Sequence, residues 1–328
     1  MLDVKDLRVQ FDTVHGAVHA VNDVSFHVGS GETVGIVGES GCGKSVTIRA
    51  ILGLVSQPGR VSGGQVTFDG KNLVGMKRRR LRKIRGHGIG FVAQNPFGIL
   101  NPVMRIEKQF YNVVKAHKPD SKRSEVKKLS LQLLEAVGIV DSARVLNGYA
   151  HELSGGMAQR VGIAMSMLLN PSLIIADEPT TALDVTVQRQ ILDLIRNLVV
   201  SDPDNAKSML LVTHDLGVVA QYCDRVVVLY AGKVVETGPV EEVFNNPTHP
   251  YTLALLQAVP QAGKPLVNLK GRLPNLIDYP KGCPFVARCK FARDICAEEM
   301  PALLPVEGHD TRRACWADVE EVSSRGAA

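Results

Sequence analysis

Residues 38 to 45 read GESGCGKS, and three glycines, a lysine and a serine at that spacing suit the binding of phosphate. Gly38, Gly41 and Gly43 let the backbone fold into a concave nest whose N–H groups point at phosphate oxygens. Lys44 would reach the β and γ phosphates of a nucleotide, and the Ser45 hydroxyl suits a Mg2+ ligand. The run TVGIV at 33 to 37 reads as a strand, and VTIRAILGLV after the loop has helical spacing, so a helix N-terminus adds its positive dipole end. Strand, glycine loop and helix are the context this motif needs; a glycine turn that binds nothing is the competing reading. Gly38, Glu39, Ser40, Gly41, Cys42, Gly43, Lys44, Ser45 and Val46 are the candidate nucleotide-binding residues.

A second apolar strand, LIIADE at 173 to 178, ends in two carboxylates. Asp177 suits a water-mediated hold on Mg2+, and Glu178 stands where a base polarises an attacking water, because the C-terminal edge of such a strand faces the crevice that holds the phosphates. Alone, the pattern could be a plain strand end; with the loop it makes a nucleoside triphosphatase site. Between the two, LSGGMAQR at 153 to 160 sets Ser154, Gly155 and Gly156 before the helical run VGIAMSMLL, a second anion-binding device on one chain. One nucleotide does not need two cradles from one monomer, so the second is expected to serve the γ phosphate of ATP held by a partner subunit.

With these motifs the chain resembles the ATP-binding subunit of an ABC transporter, over essentially all of its 328 residues. GESGCGKS resembles the Walker A motif, LSGGM the family signature and LIIADE the Walker B motif. Gln94 in FVAQNP resembles the Q-loop, TALD at 181 to 184 the D-loop, and His214 in LLVTHDL the switch histidine. The resemblance implies an α/β P-loop NTPase (RecA-like) fold with antiparallel β and helical subdomains, and a head-to-tail dimer that sandwiches two ATP molecules. It also implies Glu178 as general base, His214 on the γ phosphate, Gln94 sensing Mg2+ and the water while linking to the membrane partner, and Asp184 at the dimer seam. Taken alone, His214 after the apolar MLLV could be a satisfied core histidine. His15, before Gly16, holds a position that often carries an aromatic ring for adenine, and imidazole is a smaller stacking surface. Met157 replaces the glutamine of many family members and leaves the backbone donors in place.

The branch can be narrowed further. FVAQNPFGILNPVMRI, with Leu100, Asn101 and Pro102, resembles the Q-loop region of the oligopeptide, dipeptide and nickel importers, and NPTHPYTLALL at 246 to 256 resembles a segment of the same branch. GESGCGKSVT looks more like the D-type than the F-type ATPase of these systems, which implies a heterodimer with a second ATPase subunit. The implied function is ATP hydrolysis at the cytoplasmic face of the membrane, powering peptide import through two transmembrane permease subunits fed by an extracellular solute-binding protein. A nickel or other small-solute importer is the alternative within the branch, and export is less favoured because bacterial exporters often fuse their spans to the ATPase.

Four of the six cysteines crowd the end of the chain: Cys283, five residues, Cys289, six residues, Cys296, eighteen residues, Cys315. Members of this branch end in a domain with such a pattern, and the resemblance implies a [4Fe-4S] cluster. Four thiolates also suit tetrahedral zinc, and neither paired CxxC ribbons nor a ferredoxin CxxCxxC run is present, so spacing leaves iron-sulfur, zinc and no metal open. A metal there would chiefly fold a short polar segment, with redox sensing the alternative. Cys42 and Cys223 read as loop filler and core thiol.

At 45% hydrophobic content the 328 residues suffice for a large core and a smaller appendage. Residues 1 to 238 are expected to form the nucleotide-binding domain, with a helical subdomain at about 95 to 165. Residues 239 to 328 then form a C-terminal extension carrying the four-cysteine segment 283 to 315, and the prolines of 239 to 282 mark an irregular connector. MLDVKDLRVQF lacks the basic-then-apolar order of a signal peptide, and the longest apolar run, VGIAMSMLLNPSLIIA, is too short to span a bilayer. The chain is therefore expected in the cytosol, where disulfides are disfavoured, with the membrane spans supplied by other chains. The net charge of +5 does not by itself argue for nucleic acid, but MKRRRLRKIRGHG at 76 to 88 raises the question. No aromatic residue interleaves those cations, no long coiled coil separates Walker A from Walker B, and no second cassette follows. A solvated face or a contact to lipid head groups is preferred to a nucleic-acid ATPase, and no nucleic acid partner is expected.

Overall fold

The computed structural model describes residues 1–181, 184–200, 207–260, 269 and 271–324. They divide into two units, Met1–Gly75 with Val212–Ala328, and Met76–Leu211. In the first unit the strand Leu2–Thr13 buries Leu2 and Val4, then Leu7 and Val9. The inward set changes from even to odd positions where the register breaks between Val4 and Leu7, because an extra residue in one strand reverses the alternation beyond it. Asp6, inside that break, has φ 47. This strand lies between Gly16–Val28 and Gly59–Phe68, antiparallel to both, with Lys71–Asn72 at the edge.

The same unit carries a second set of strands. Thr33–Val37 is buried at all five positions and runs parallel to Arg225–Tyr230. An uninterrupted apolar strand of this kind is covered on both faces, unlike the alternating Leu2–Thr13. Arg225–Tyr230 pairs antiparallel with Lys233–Pro239, which is followed in order by Arg312–Arg313 and Leu304–Pro305.

The stretch 239 to 282 departs from the irregular connector expected of it. It opens with the helices Val240–Asn245 and Pro250–Gln257, and Val243 and Tyr251 are fully buried. Pro250 sits in the first turn of its helix, where a missing N–H breaks no intrahelical bond, and the His249 side chain caps that helix by accepting from the Tyr251 N–H at 3.0 Å. Pro250 therefore starts a helix here. Residues 261–268 and 270 of the stretch lie outside the described residues.

In the second unit Ile89–Val92 runs parallel to Leu173–Asp177, and Ser208–Val212 follows in the sheet order. Its helices include Ile106–His117, Arg123–Ala136, Ser142–Asn147, Gly155–Met167 and Val185–Val200. The cationic run forms the helix Arg78–Ile84, which buries Leu81 while Lys77, Arg78, Arg79, Arg80, Arg82 and Lys83 are exposed, a solvated face. Among the described residues no helix is long and apolar enough to cross a membrane.

Candidate functional site

The glycine loop follows the strand Thr33–Val37 and leads into the helix Lys44–Ile51, so strand, loop and helix stand in the expected order. Gly38, Gly41 and Gly43 have φ of 152, 83 and 106. A Cβ on Gly38 would lie 2.2 Å from the Leu229 carbonyl oxygen and one on Gly43 would lie 2.5 Å from that of Ala20, so both conformation and space require glycine. Lys44 is only 5% exposed, and its Nζ donates to the carbonyls of Gly38 at 2.6 Å and Glu39 at 3.1 Å. The ammonium is thus held inside the loop by oxygens of the loop itself. The Thr47 hydroxyl donates to the Gly43 carbonyl at 3.0 Å and ties the first helical turn to the loop. Cys42 is buried, and that burial pushes its thiol up; it packs as a small apolar residue. Ser45 and Val46 lie in the first turn, partly exposed, and Ser40 lies in the turn before it.

His214 belongs to this unit and is exposed, which removes the reading of a core histidine. Its neighbour Thr213 donates its N–H to the Ile36 carbonyl at 3.2 Å, so His214 follows a residue docked beside the strand that feeds the loop. Asp215 then caps the helix Leu216–Tyr222 through the N–H groups of Gly217 and Val218. His15 is exposed in the turn between Leu2–Thr13 and Gly16–Val28, where its N–H donates to the Thr13 hydroxyl at 3.3 Å.

In the second unit Glu178 follows the strand Leu173–Asp177 with φ 43, a conformation that costs a non-glycine residue about 1 kcal/mol or more. One of its carboxylate oxygens, Oε2, accepts from Gln94 Nε2 at 3.2 Å and from the Thr181 hydroxyl at 2.8 Å. Gln94 and Glu178, 84 residues apart in sequence, are brought into contact. Asp177 is buried at the strand end. Ser154 caps the helix Gly155–Met167, its hydroxyl oxygen accepting from the Met157 N–H at 3.3 Å, so the signature stands at a 13-residue helix N-terminus as expected. The buried Gln159 of that helix donates to the Ala93 carbonyl at 3.4 Å, next to Gln94. Asp184 is exposed and accepts from the Val187 N–H at 3.0 Å, while Ala182 and Leu183 of the TALD run lie outside the described residues.

Residues 21–181 match the ABC transporter family, and residues 235–296 match the oligopeptide/dipeptide transporter C-terminal region. The chain is 44% identical over 324 residues to the oligopeptide transport ATP-binding protein OppD of Haemophilus influenzae, covering 98% of each chain. To the protein of the same name from Escherichia coli it is 45% identical over 325 residues, covering 98% of this chain and 94% of the other. This chain belongs to the ABC transporter family, in its oligopeptide-transport ATP-binding branch. The dimeric post-hydrolysis structure of the ATP-binding cassette MJ0796, bound to ADP and Pi, superposes with a TM-score of 0.65 at 28% identity. It covers 73% of this chain and 99% of that one, which bears out the ABC ATPase fold.

The terminal cysteines of this ABC subunit correct an expectation. Cys283, Cys289, Cys296 and Cys315 do line one common pocket, with Phe285 and Trp316, but its volume is about 10 Å³. That is room for no more than a single water, not for four irons and four sulfides. Among the described residues no group of three or more His, Cys, Asp or Glu side chains is arranged to hold a metal ion, so the [4Fe-4S] cluster, the iron-sulfur assignment and zinc are all set aside. Burial pushes the Cys283 thiol up to about 12 and the Cys289 thiol up to about 11, and it raises Cys315 as well; these thiols stay protonated near neutrality. The segment is held by packing instead. Tyr230, Tyr251 and Phe285 form an aromatic cluster with ring centroids 4.6, 5.1 and 5.3 Å apart, and Cys283 and Cys296 are buried in the same apolar core. Cysteine here acts as a small apolar residue, which count and spacing alone could not distinguish from a ligand.

The motif reading named the runs that hold Thr181, Gln159 and Tyr251 but not their contacts. These are Thr181 on Glu178, Gln159 on the Ala93 carbonyl, and Tyr251 with Arg288 on Glu39. The last two lie 212 and 249 residues from Glu39, and no local pattern links such distant positions.

Proposed function

We propose that the chain hydrolyses ATP to power peptide import, as the ATPase subunit of a transporter whose membrane passage is provided by two permease subunits and whose solute is delivered by an extracellular binding protein. It works peripherally, on the cytoplasmic face of the membrane. The observation that carries the ATPase reading is the buried Lys44 ammonium, held inside a loop shaped by left-handed glycines. Peptide as the solute class rests on near-full-length relatives named for oligopeptide transport.

In this reading the loop amides and Lys44 hold the β and γ phosphates. The Ser45 hydroxyl and, through water, Asp177 serve Mg2+, with Gln94 sensing the ion; oxygen donors of this hardness fit it, and Mg2+ supplies charge neutralisation of the phosphates when bound. Glu178 is the general base, and its contacts to Gln94 and Thr181 orient the carboxylate toward one rotamer. His214 addresses the γ phosphate. Ser154, Gly155 and Gly156 serve ATP on a second ATPase subunit, Asp184 lies at that seam, and His15 is on the base side. The second subunit is a distinct F-type chain, giving a heterodimer. Residues 239–328 form an extension on a nucleotide-binding domain of residues 1–238, with a helical subdomain at about 95 to 165.

The test is Glu178→Gln in the assembled transporter. ATP binding is retained while hydrolysis and ATP-driven peptide uptake into vesicles drop by about two to four orders of magnitude. Normal turnover in this variant removes Glu178 from the role of base. Uptake of nickel with no peptide uptake by the wild type moves the chain to the alternative solute class.

A further inference from the structure

Glu39 is the second residue of the glycine loop, and each of its polar groups is engaged. Its carbonyl accepts from Lys44, its N–H donates to the Tyr251 hydroxyl at 2.9 Å, and its carboxylate takes both arms of the Arg288 guanidinium at 2.7 and 2.9 Å. Arg288 comes from the C-terminal extension, and its side chain is 5% exposed. It also donates to the Tyr230 hydroxyl at 3.2 Å and the Leu269 carbonyl at 3.3 Å, and lies over the rings of Tyr230 and Phe285 at 5.7 and 5.8 Å. A buried arginine with this many contacts has one available orientation, and the fork geometry transfers it to the carboxylate.

We propose that Arg288 is a positioning residue for nucleotide binding, by which the C-terminal extension sets both the shape and the charge of the glycine loop through Glu39. This rests on the ATPase reading above. A loop that binds phosphate has reason to avoid an unpaired carboxylate, because like charges close together in a poorly solvated site repel strongly. The Arg288 fork removes that repulsion and holds the Glu39 backbone, whose carbonyl in turn holds Lys44. Two of the cysteines help to place Arg288: Cys283, buried, and Cys289, half-buried, flank Phe285 and Arg288 in sequence and pack with Phe285 in the apolar core beside the guanidinium.

The experiment compares the full chain with Arg288→Gln, which keeps part of the stem and loses the charge, and with Arg288→Gln/Glu39→Gln, which also neutralises the carboxylate. Affinity for a fluorescent ATP analogue, and KM and kcat for Mg-ATP, are measured alongside the melting temperature. The expected result is that Arg288→Gln weakens nucleotide affinity about tenfold, with the loss in KM and kcat within about threefold, and that the double variant regains most of it. Affinity within about twofold of wild type in Arg288→Gln overturns the proposal, as does a double variant no better than the single, since a merely structural arginine gives no rescue by neutralising Glu39. Should Arg288→Gln not fold, Arg288→Lys carries the test: it keeps the charge and loses the fork, and unchanged affinity overturns the positioning role. A wild-type chain that neither binds nor hydrolyses ATP sinks the ATPase reading, whereas a competent wild type with unaffected variants sinks only this inference.

Discussion

The glycine loop and the cysteine pocket are the two most conspicuous residue patterns in the chain, and they behave in opposite ways. The loop keeps a cationic group buried against its own carbonyls, with the backbone of Gly38 and Gly43 in conformations that other residues resist. In the function proposed above, phosphate oxygens replace these carbonyls as partners of Lys44. In the pocket, by contrast, four thiols converge on about 10 Å³ with aromatic and proline neighbours, and burial pushes the thiols of Cys283, Cys289 and Cys315 up. Side chains that converge do not make a ligand site when the fold leaves no space between them.

The largest way to break this comparison is Lys44→Ala, expected to lower ATP hydrolysis about a thousandfold, measured as phosphate release by the full chain. Activity near wild type in that variant would mean that the loop is no more a ligand site than the pocket. Next is thiol reactivity. A thiol raised from 9.0 to about 11 carries roughly a hundredfold less thiolate at pH 8, so alkylation of Cys289 in the folded chain is slower by about that factor than in urea. Fast alkylation, or iron or zinc bound in stoichiometric amount to the purified chain, breaks the contrast from the other side.

Gly43→Ala sharpens the loop half. Its Cβ meets the Ala20 carbonyl, and the expected cost is about 2 kcal/mol in denaturant unfolding together with weakened ATP binding. The smallest effect concerns His249, which lies against the pocket and whose ring accepts from the Tyr251 N–H in its neutral form. Burial lowers this imidazole to about 3, against about 6.5 in the unfolded chain. The unfolded state therefore binds more protons between these values, and the contribution of neutral His249 is complete above pH 6.5 and lost progressively as pH falls toward 3. His249→Asn is expected to flatten the decline of the urea midpoint between pH 6.5 and 4.5; an unchanged slope counts against a buried neutral histidine.

Legibility followed how local the interactions are. Buried parallel strands read as unbroken apolar runs, and the loop, the signature and the carboxylate pair read as contiguous words because each is made by consecutive residues. The helices opening at Val240 and Pro250 were obscured by prolines that stand at helix starts: Pro239 is the N-cap residue of the first, and Pro250, preceded by the capping His249, lies in the first turn of the second. Nothing near Glu39 in the chain announces Arg288, and nothing near Glu178 announces the contact from Gln94.

By itself the amino-acid sequence determined the family and pointed to the candidate phosphate-binding loop and the candidate acid–base residues, since short motifs carry those through backbone geometry and neighbouring side chains. Only the tertiary structure decided that the cysteines converge without room for a cluster, that His214 is exposed, and that Arg288 pairs with Glu39 of the loop. Volume, burial and ion pairing between distant residues arise when separate segments pack together, and residue spacing along the chain does not encode them in readable form.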